Sequence, residues 1–328
     1  MTVTLIIVLF LVLVAEFVNG WNDAPNAIAT VVSTRVLRPM HALIMAAVLN
    51  VLGAAITGTA VAATIGSGIV SPDSIGLSVI AAAVLAVAVW GAIATWLGIP
   101  ISISHGLVSG MAGAALVVAG SGALLWSGWQ KIIIGLGFST LLGFTLAFIL
   151  MTVIYWIIRK VSPSTVRNIF GKLQILSAAF MAFSHGSNDG QKFMGVFALA
   201  LVLGGVMPEF HVPLWVILLC GVVIGLGTAV GGWRVIKTMG CRLTKLEPVH
   251  GFAAETAAAT AIQLASFMGV PLSTTHTIST AIMGVGATKR FSAVRWGVAG
   301  SIVSAWVFTF PICGALGALF ALIFNWLF

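Results

Sequence analysis

Leu97-Gly98-Ile99-Pro100-Ile101-Ser102-Ile103-Ser104-His105 and Met268-Gly269-Val270-Pro271-Leu272-Ser273-Thr274-Thr275-His276 align without a gap, 171 positions apart. Each follows a Gly-x-Pro stop with hydroxyl side chains and a histidine, and each lies inside a long apolar stretch. Gly and Pro end one helix and the hydroxyls cap the start of another. The stretches Leu77 to Ala119 and Gly251 to Ala287 therefore read as helical hairpins. Outward from this pair, Gly20-Trp21-Asn22-Asp23 returns as Gly186-Ser187-Asn188-Asp189, 166 positions on. A longer loop in the second half absorbs the difference between the two offsets. The chain thus reads as two copies of one unit, residues 1–158 and 173–328, joined by a connection over 159–172.

The solvent of that unit is lipid. Of 328 residues, 60% are hydrophobic and 7% charged, against roughly 25% charged in a soluble domain. A span takes ~20 mostly apolar residues, and each copy supplies four apolar elements: Met1 to Val36, Ala42 to Ala63, Leu77 to Ala119 and Ile132 to Ile158, then Leu173 to Val206, Val212 to Trp233, Gly251 to Ala287 and Val294 to Phe328. The first, with no basic leader and with Glu16 near its end, reads as a retained span rather than a signal peptide. The net charge of +8 sits in connections beside spans, so it reports topology rather than a nucleic-acid partner. Cys220, Cys241 and Cys313 are scattered and form no metal or disulfide pattern.

The positive-inside rule places Arg35 with Arg38, Arg159 to Lys172, Arg234 to Lys245 and Lys289 to Arg295 in the cytoplasm, and leaves Asp73 and Glu209 on outer loops. These sides agree only if the first element runs inward in copy one and outward in copy two. The expected fold is an all-α membrane protein of two inverted-topology repeats, each with a broken helix and a helical hairpin, with about 10–12 membrane segments and both termini outside. Inverted repeats with broken helices are the architecture of secondary transporters.

Only four of the seven acids, Glu16, Asp23, Asp189 and Glu255, fall within apolar elements, where a carboxylate is costly and usually functional. Asn22-Asp23-Ala24-Pro25-Asn26 places a proline inside a span, and the expectation is a break whose freed carbonyls join Asp23 on a hard cation. Kinked helices capped by Asn and Asp are the plainer alternative. At the hairpin tips, helix N-termini suit an oxyanion, and Ser102, Ser104, Ser273, Thr274 and Thr275 add uncharged donors, unless they serve only as N-caps. An anion beside Asp23 and Asp189 demands that these be neutralised by a cation or proton, which is a coupling mechanism. His105 and His276 are either proton-sensitive partners or hydrogen-bonded bundle histidines. Lys192 attracts the anion or pairs with Asp189. Glu16 is a second cation or proton group or marks the outer end of its span, and Glu255 is a further candidate with Val84 at the aligned site.

The motifs Gly20-Trp21-Asn22-Asp23-Ala24-Pro25-Asn26-Ala27, Ser184-His185-Gly186-Ser187-Asn188-Asp189-Gly190-Gln191-Lys192 and Pro271-Leu272-Ser273-Thr274-Thr275-His276 resemble those of the inorganic phosphate transporter, or Pit, family, over nearly the whole chain. The resemblance implies a symporter in the cytoplasmic membrane that imports phosphate with H+ or Na+, needs no cofactor, and forms a homodimer. It puts the hairpin hydroxyls near phosphate and the Asp residues near the coupling ion, and with the residues read above substrate-binding is expected at Ser102, Ser104, His105, Ser273, Thr274, Thr275, His276 and Lys192. Coupling falls to Asn22, Asp23, Asn26, Asn188, Asp189 and Glu255, with Na+ at Asp23 and Asp189 if the ion is sodium. Gly190-Gln191-Lys192 resembles the bacterial, proton-linked branch. Ile103 departs from the family pattern, which commonly has a hydroxyl there, and the large central hydrophilic loop is missing. Sulfate, or a metal-phosphate complex, stays open as the cargo. A passive anion channel would not keep carboxylates beside its filter, and an enzyme would seldom need both copies of every group.

Overall fold

A computed structural model describes residues 2–327 of the chain; Met1 and Phe328, the outer ends of the two expected repeats, lie outside the described residues. The helices run α1 (Val3–Ser33), α2 (Pro39–Ile56), α3 (Ala60–Gly68), α4 (Leu77–Leu97), α5 (Ile103–Ala119) and α6 (Trp126–Ile158). There follow α7 (Pro163–His185), a π-turn at Gly186–Gly190, α8 (Gln191–Leu203), α9 (Leu214–Val230), α10 (Trp233–Lys237) with a π-turn at Thr238–Arg242, α11 (Pro248–Phe267), α12 (Thr274–Lys289) and α13 (Trp296–Leu327). The second series repeats the first, with α7–α8 in the place of α1, α9 of α2, α10 of α3, α11 of α4, α12 of α5 and α13 of α6.

Packing repeats with the order, and it crosses between the halves. Helix α5 packs on α13 and α12 on α6; α1 packs on α9 and α7 on α2; α4 packs on α13 and α11 on α6. The buried apolar residues form two clusters. One gathers α3, α4, α5, α8 and the first half of α1, ending at Val18. The other gathers α7, α11, α12 and the second half of α1, starting at Ala24. Between them lies the Asn19–Asp23 stretch, so the polar layer falls where the two cores part.

Local chemistry sets the ends of these helices. Proline opens α2, α7 and α11 at a position where its missing N–H is no loss. Helix α11 also carries a reciprocal cap, with His250 Nδ1 accepting from the Glu247 backbone N–H at 3.1 Å. Helices α4 and α11 end in left-handed glycines, Gly98 at φ 77° and Gly269 at φ 66°.

Both hairpins are present, as α4–α5 and α11–α12, with the stops and caps in the expected places. The broken helices differ from expectation. Helix α1 runs unbroken through Pro25 for 31 residues. A lone proline removes one hydrogen bond, and a helix held by neighbours on every side survives that loss. The matching element is interrupted, by the Gly186–Gly190 π-turn. A break also occurs where a single span was expected, since α2 stops at Thr57-Gly58-Thr59 before α3, and α9 bends by 64° at Gly231-Gly232 into α10, most of which lies in the expected Arg234 to Lys245 connection. Helix α7 begins at Pro163, inside the expected 159–172 connection. Among the described residues, five helices are long and apolar enough to cross a bilayer alone, or six counting the bent α9–α10 pair. By length and composition that is fewer than 10–12, the hairpin arm α5 and half-helices such as α3 and α8 being too short.

Candidate functional site

The Asn-Asp motifs and the hairpin tips converge. Ser102 Oγ accepts from His105 N–H and Ser273 Oγ from His276 N–H, both at 3.3 Å, so these two residues are N-caps of α5 and α12. Beyond the caps the tips touch each other: Ser104 Oγ donates to Leu272 O at 3.2 Å. The next hydroxyls turn toward the Asp residues. Thr275 Oγ1 donates to Asp23 Oδ1 at 3.2 Å and Thr274 Oγ1 to Asp189 Oδ2 at 2.9 Å. Asn26 Nδ2 donates to Thr275 Oγ1 at 3.0 Å and to Thr274 Oγ1 at 3.3 Å.

Lys192 holds the other tip. Its ammonium pairs with the Asp189 carboxylate and donates to Ser104 Oγ at 2.5 Å and Leu272 O at 2.7 Å. Lys192 occupies the position aligned with Asn26, and Ser104 that aligned with Thr275. The same contact is therefore made twice, once by an amide and once by an ammonium. Asn22 and Asn188 repeat the pattern one layer out. Asn22 Nδ2 donates to Thr95 Oγ1 at 2.7 Å and Asn188 Nδ2 to Ser266 Oγ at 2.9 Å, and Thr95 and Ser266 are 171 positions apart. These two asparagines fasten each Asp-bearing element to the first arm of a hairpin.

His185 stands between the carboxylates, a site residue that enters the sequence reading only as part of a motif. Its Nε2 lies 3.3 Å from Asp189 Oδ2 and 3.9 Å from Asp23 Oδ2, while Nδ1 meets Asn50 Oδ1 at 3.0 Å. Asn50 Nδ2 in turn donates to Thr228 Oγ1 at 2.8 Å. Close backbone approach makes this possible: a Cβ on Gly186 would meet Asn50 Cα at 2.5 Å, and one on Gly20 would meet Thr228 N at 2.9 Å. A ligand atom from each of Asp23, His185 and Asp189 falls within one 4.8 Å group, able to hold a proton or a cation. All of these side chains are buried; Asp23, Asp189 and Lys192 are no more than 2% exposed.

Two sets of expected site residues stand apart from this cluster. The His105 and His276 rings meet edge to face at 4.4 Å and lie against Phe310 and Trp306 of α13. They face α13 and α6, and Thr140 Oγ1 lies 3.5 Å from His276 Nδ1. Glu255 has its own group: Thr30 and Ser177 hydroxyls donate to its carboxylate, as does Gln174 Nε2 at 3.2 Å. The positions aligned with Glu255, Thr30, Gln174 and Ser177 are Val84, Val196, Val8 and Leu11, so this polar group has no counterpart in the other half. Thr30 was legible in principle. Glu16, Asn19, Asp23, Asn26 and Thr30 recur at spacings of three and four, one face of α1.

Residues 19–317 match the family model described as "Phosphate transporter family". A protein of Rhizobium meliloti (strain 1021), named "Probable low-affinity inorganic phosphate transporter", is 45% identical over 93% of this chain and 91% of its own length. A Bacillus subtilis (strain 168) protein of the same name is 42% identical over the whole of both chains. A solved structure, named "The sodium-dependent phosphate transporter", superposes over the full length of both chains with a TM-score of 0.91 at 26% identity.

Proposed function

The chain belongs to the phosphate transporter family, and on that premise we propose that it is a symporter that imports inorganic phosphate across the cytoplasmic membrane with a coupling proton. The observation that carries the reading is the meeting of both hairpin tips with Asp23, Asp189 and Lys192 in one buried layer. Two helix N-termini offer unpaired N–H groups to an oxyanion, and Ser104, Thr274 and Thr275 add hydroxyls that can turn to it. Two carboxylates and one ammonium leave the layer with one net negative charge. A single proton on His185 or Asp23 cancels that charge before the anion arrives, so cation entry and anion entry are linked through electrostatics. Lys192, resting on Ser104 and Leu272 O, moves onto the anion when it binds.

Phosphate is favoured over sulfate by the acceptors that line the layer. Asn22 Oδ1, Asn26 Oδ1 and Asn188 Oδ1 are buried without a partner. A ligand that carries its own proton can satisfy such atoms, and sulfate at neutral pH carries none. Transport itself follows from the duplicated fold: two inverted repeats exchange conformations, the hairpin-bearing helices move against the rest, and both termini stay outside. The protein acts as a homodimeric carrier, with no chemistry on its cargo.

A second reading keeps the same site with Na+ as the driving ion. It is favoured by the carboxylate oxygens of Asp23 and Asp189 in one group and by the sodium dependence named for the solved structure of like fold. Uptake of labelled phosphate into proteoliposomes, with a proton or sodium gradient imposed separately and unlabelled sulfate as competitor, tests both. Accumulation on the proton gradient without sulfate competition supports the proposal. Accumulation on sodium alone selects the second reading, and failure on both gradients overturns the symport mechanism.

A further inference from the structure

Glu16 has no part in the phosphate layer, yet it is a fully buried acid, 0% exposed. It lies on the polar face of α1, two turns before Asp23, which is roughly 10 Å along the helix axis. Its position in the second copy is taken by Ala182, and that of its neighbour Asn19 by His185. The duplicated frame therefore does not require an acid here.

The hydrogen bonding of Glu16 is incomplete in a specific way. An ionised carboxylate offers about four acceptor sites. Glu16 receives one N–H, from Asn19 Nδ2 to Oε2 at 3.1 Å. Its Oε1 is buried without a partner, and so is Oδ1 of Asn19. Turning the Asn19 amide round only moves the deficit, because the carboxylate then loses its single donor. Glu255 makes the contrast: its carboxylate is served by Thr30, Ser177 and Gln174. A buried carboxylate held by a single amide does not persist as an anion.

Missing from the Glu16–Asn19 pair is one hydrogen. A proton on Glu16 removes the buried charge and turns an acceptor into a donor. Sodium fits worse, since a hard cation gathers several oxygens and the pair offers two side chains. The titratable and charged groups that face Glu16 are Cys220 on α9 and His185, Asp189 and Lys192 on the α7–α8 element; α4, also packed on α1, carries none.

We propose that Glu16 and Asn19 form a proton-binding site on the outer half of α1, loaded in this closed conformation, from which the proton reaches the Asp23–His185–Asp189 group. The site rests on proton-coupled symport for its role, but its existence can be read without transport. Infrared spectra of the purified protein at neutral pH report neutral carboxyl groups through their C=O stretch. The wild type shows a neutral-carboxyl component that Glu16→Gln loses and Glu16→Asp keeps at a shifted position, and that component stays in place in Glu255→Gln whether or not Glu255 contributes one of its own. In proteoliposomes, Glu16→Gln loses proton-gradient-driven accumulation and the stimulation of uptake by external acid, and Glu16→Asp retains both with a displaced pH profile. Wild-type and Glu16→Gln spectra that coincide in the carboxyl region overturn the site. Undiminished proton-driven accumulation by Glu16→Gln overturns its place on the path. A wild type driven by sodium alone that still loses the band in Glu16→Gln refutes proton coupling and supports the site.

Discussion

Replacing Asp189 by Asn tests the centre of the layer. The substitution keeps the shape and one acceptor oxygen but removes the charge that faces the Lys192 ammonium. Lys192 is 1% exposed and is left with two neutral partners, Ser104 Oγ at 2.5 Å and Leu272 O at 2.7 Å. Breaking a buried ion pair by removing one partner costs about 3–5 kcal/mol. Because the one amide oxygen can still accept from Lys192 in place of the carboxylate, the loss belongs at the lower end, about 3 kcal/mol, or roughly a hundredfold in the folding equilibrium. Adding Lys192→Met removes the stranded charge and fills its space with an unbranched apolar chain, so the double variant regains most of that stability. The measurement is unfolding free energy of purified protein by SDS titration in mixed micelles, arranged as a double-mutant cycle. Phosphate uptake is read on the same preparations, and both variants lose it. An Asp189→Asn protein within about 1 kcal/mol of wild type, or a double variant no more stable than the single one, refutes the buried ion pair as an element of this fold.

Asp23→Asn abolishes gradient-driven phosphate accumulation without unfolding the protein, because the amide still accepts from Thr275; the check is uptake alongside a melting curve. Ser104→Ala and Thr275→Ala each remove one hydroxyl from a hairpin tip and raise the half-saturating phosphate concentration roughly two- to tenfold, the worth of one hydrogen bond. Gly186→Ala puts a Cβ 2.5 Å from Asn50 Cα and forces the π-turn off α2, costing about 1–3 kcal/mol in a melting or SDS titration. Glu255→Ala leaves Thr30, Ser177 and Gln174 without their acceptor and lowers the melting temperature more than Glu255→Gln, which keeps one acceptor oxygen.

The frame was legible because it rests on backbone punctuation. Gly98, Pro100, Gly269 and Pro271 stop helices for steric reasons that hold in any surroundings, and the hairpins lie where those residues put them. Pro25 misled because the cost of a proline is local and is offset by packing, and a single sequence does not display the neighbours that hold α1 straight. The α2–α3 break was missed for the opposite reason, since the chain is apolar enough on either side to pass as a continuous span, and α10 was missed because Arg234 and Lys237 mark it as a connection. At the site, the repeated residues and the intramembrane charges Lys192 and Glu255 were found, and the unrepeated His185 and Asn50 were not. His185 and Asn50 belong to no duplicated motif, and they enter only when Gly20 and Gly186 bring α1 and the π-turn against α9 and α2.

That division between repeated and unrepeated residues is itself mechanistic. The contacts made twice, Asn22 to Thr95 and Asn188 to Ser266, fasten helices to hairpin arms, and a frame that works facing either way needs them equal. Beyond the repeated Asp23 and Asp189 the polar groups are unequal: Lys192 stands against Asn26, His185 against Asn19, Thr274 against Ile103, and Glu255 against Val84. One anion and one coupling charge cannot be bound by two identical half-sites without leaving a buried carboxylate unpaired on one side. The aligned pairs resolve this by giving the second half the fixed cation and the titratable ring, while Asp23 of the first half has the Thr275 hydroxyl and, farther off, His185 Nε2 at 3.9 Å. On the proposed symport mechanism Asp23 is thus the carboxylate whose charge the arriving ion balances, while Asp189 is the one already paired with Lys192.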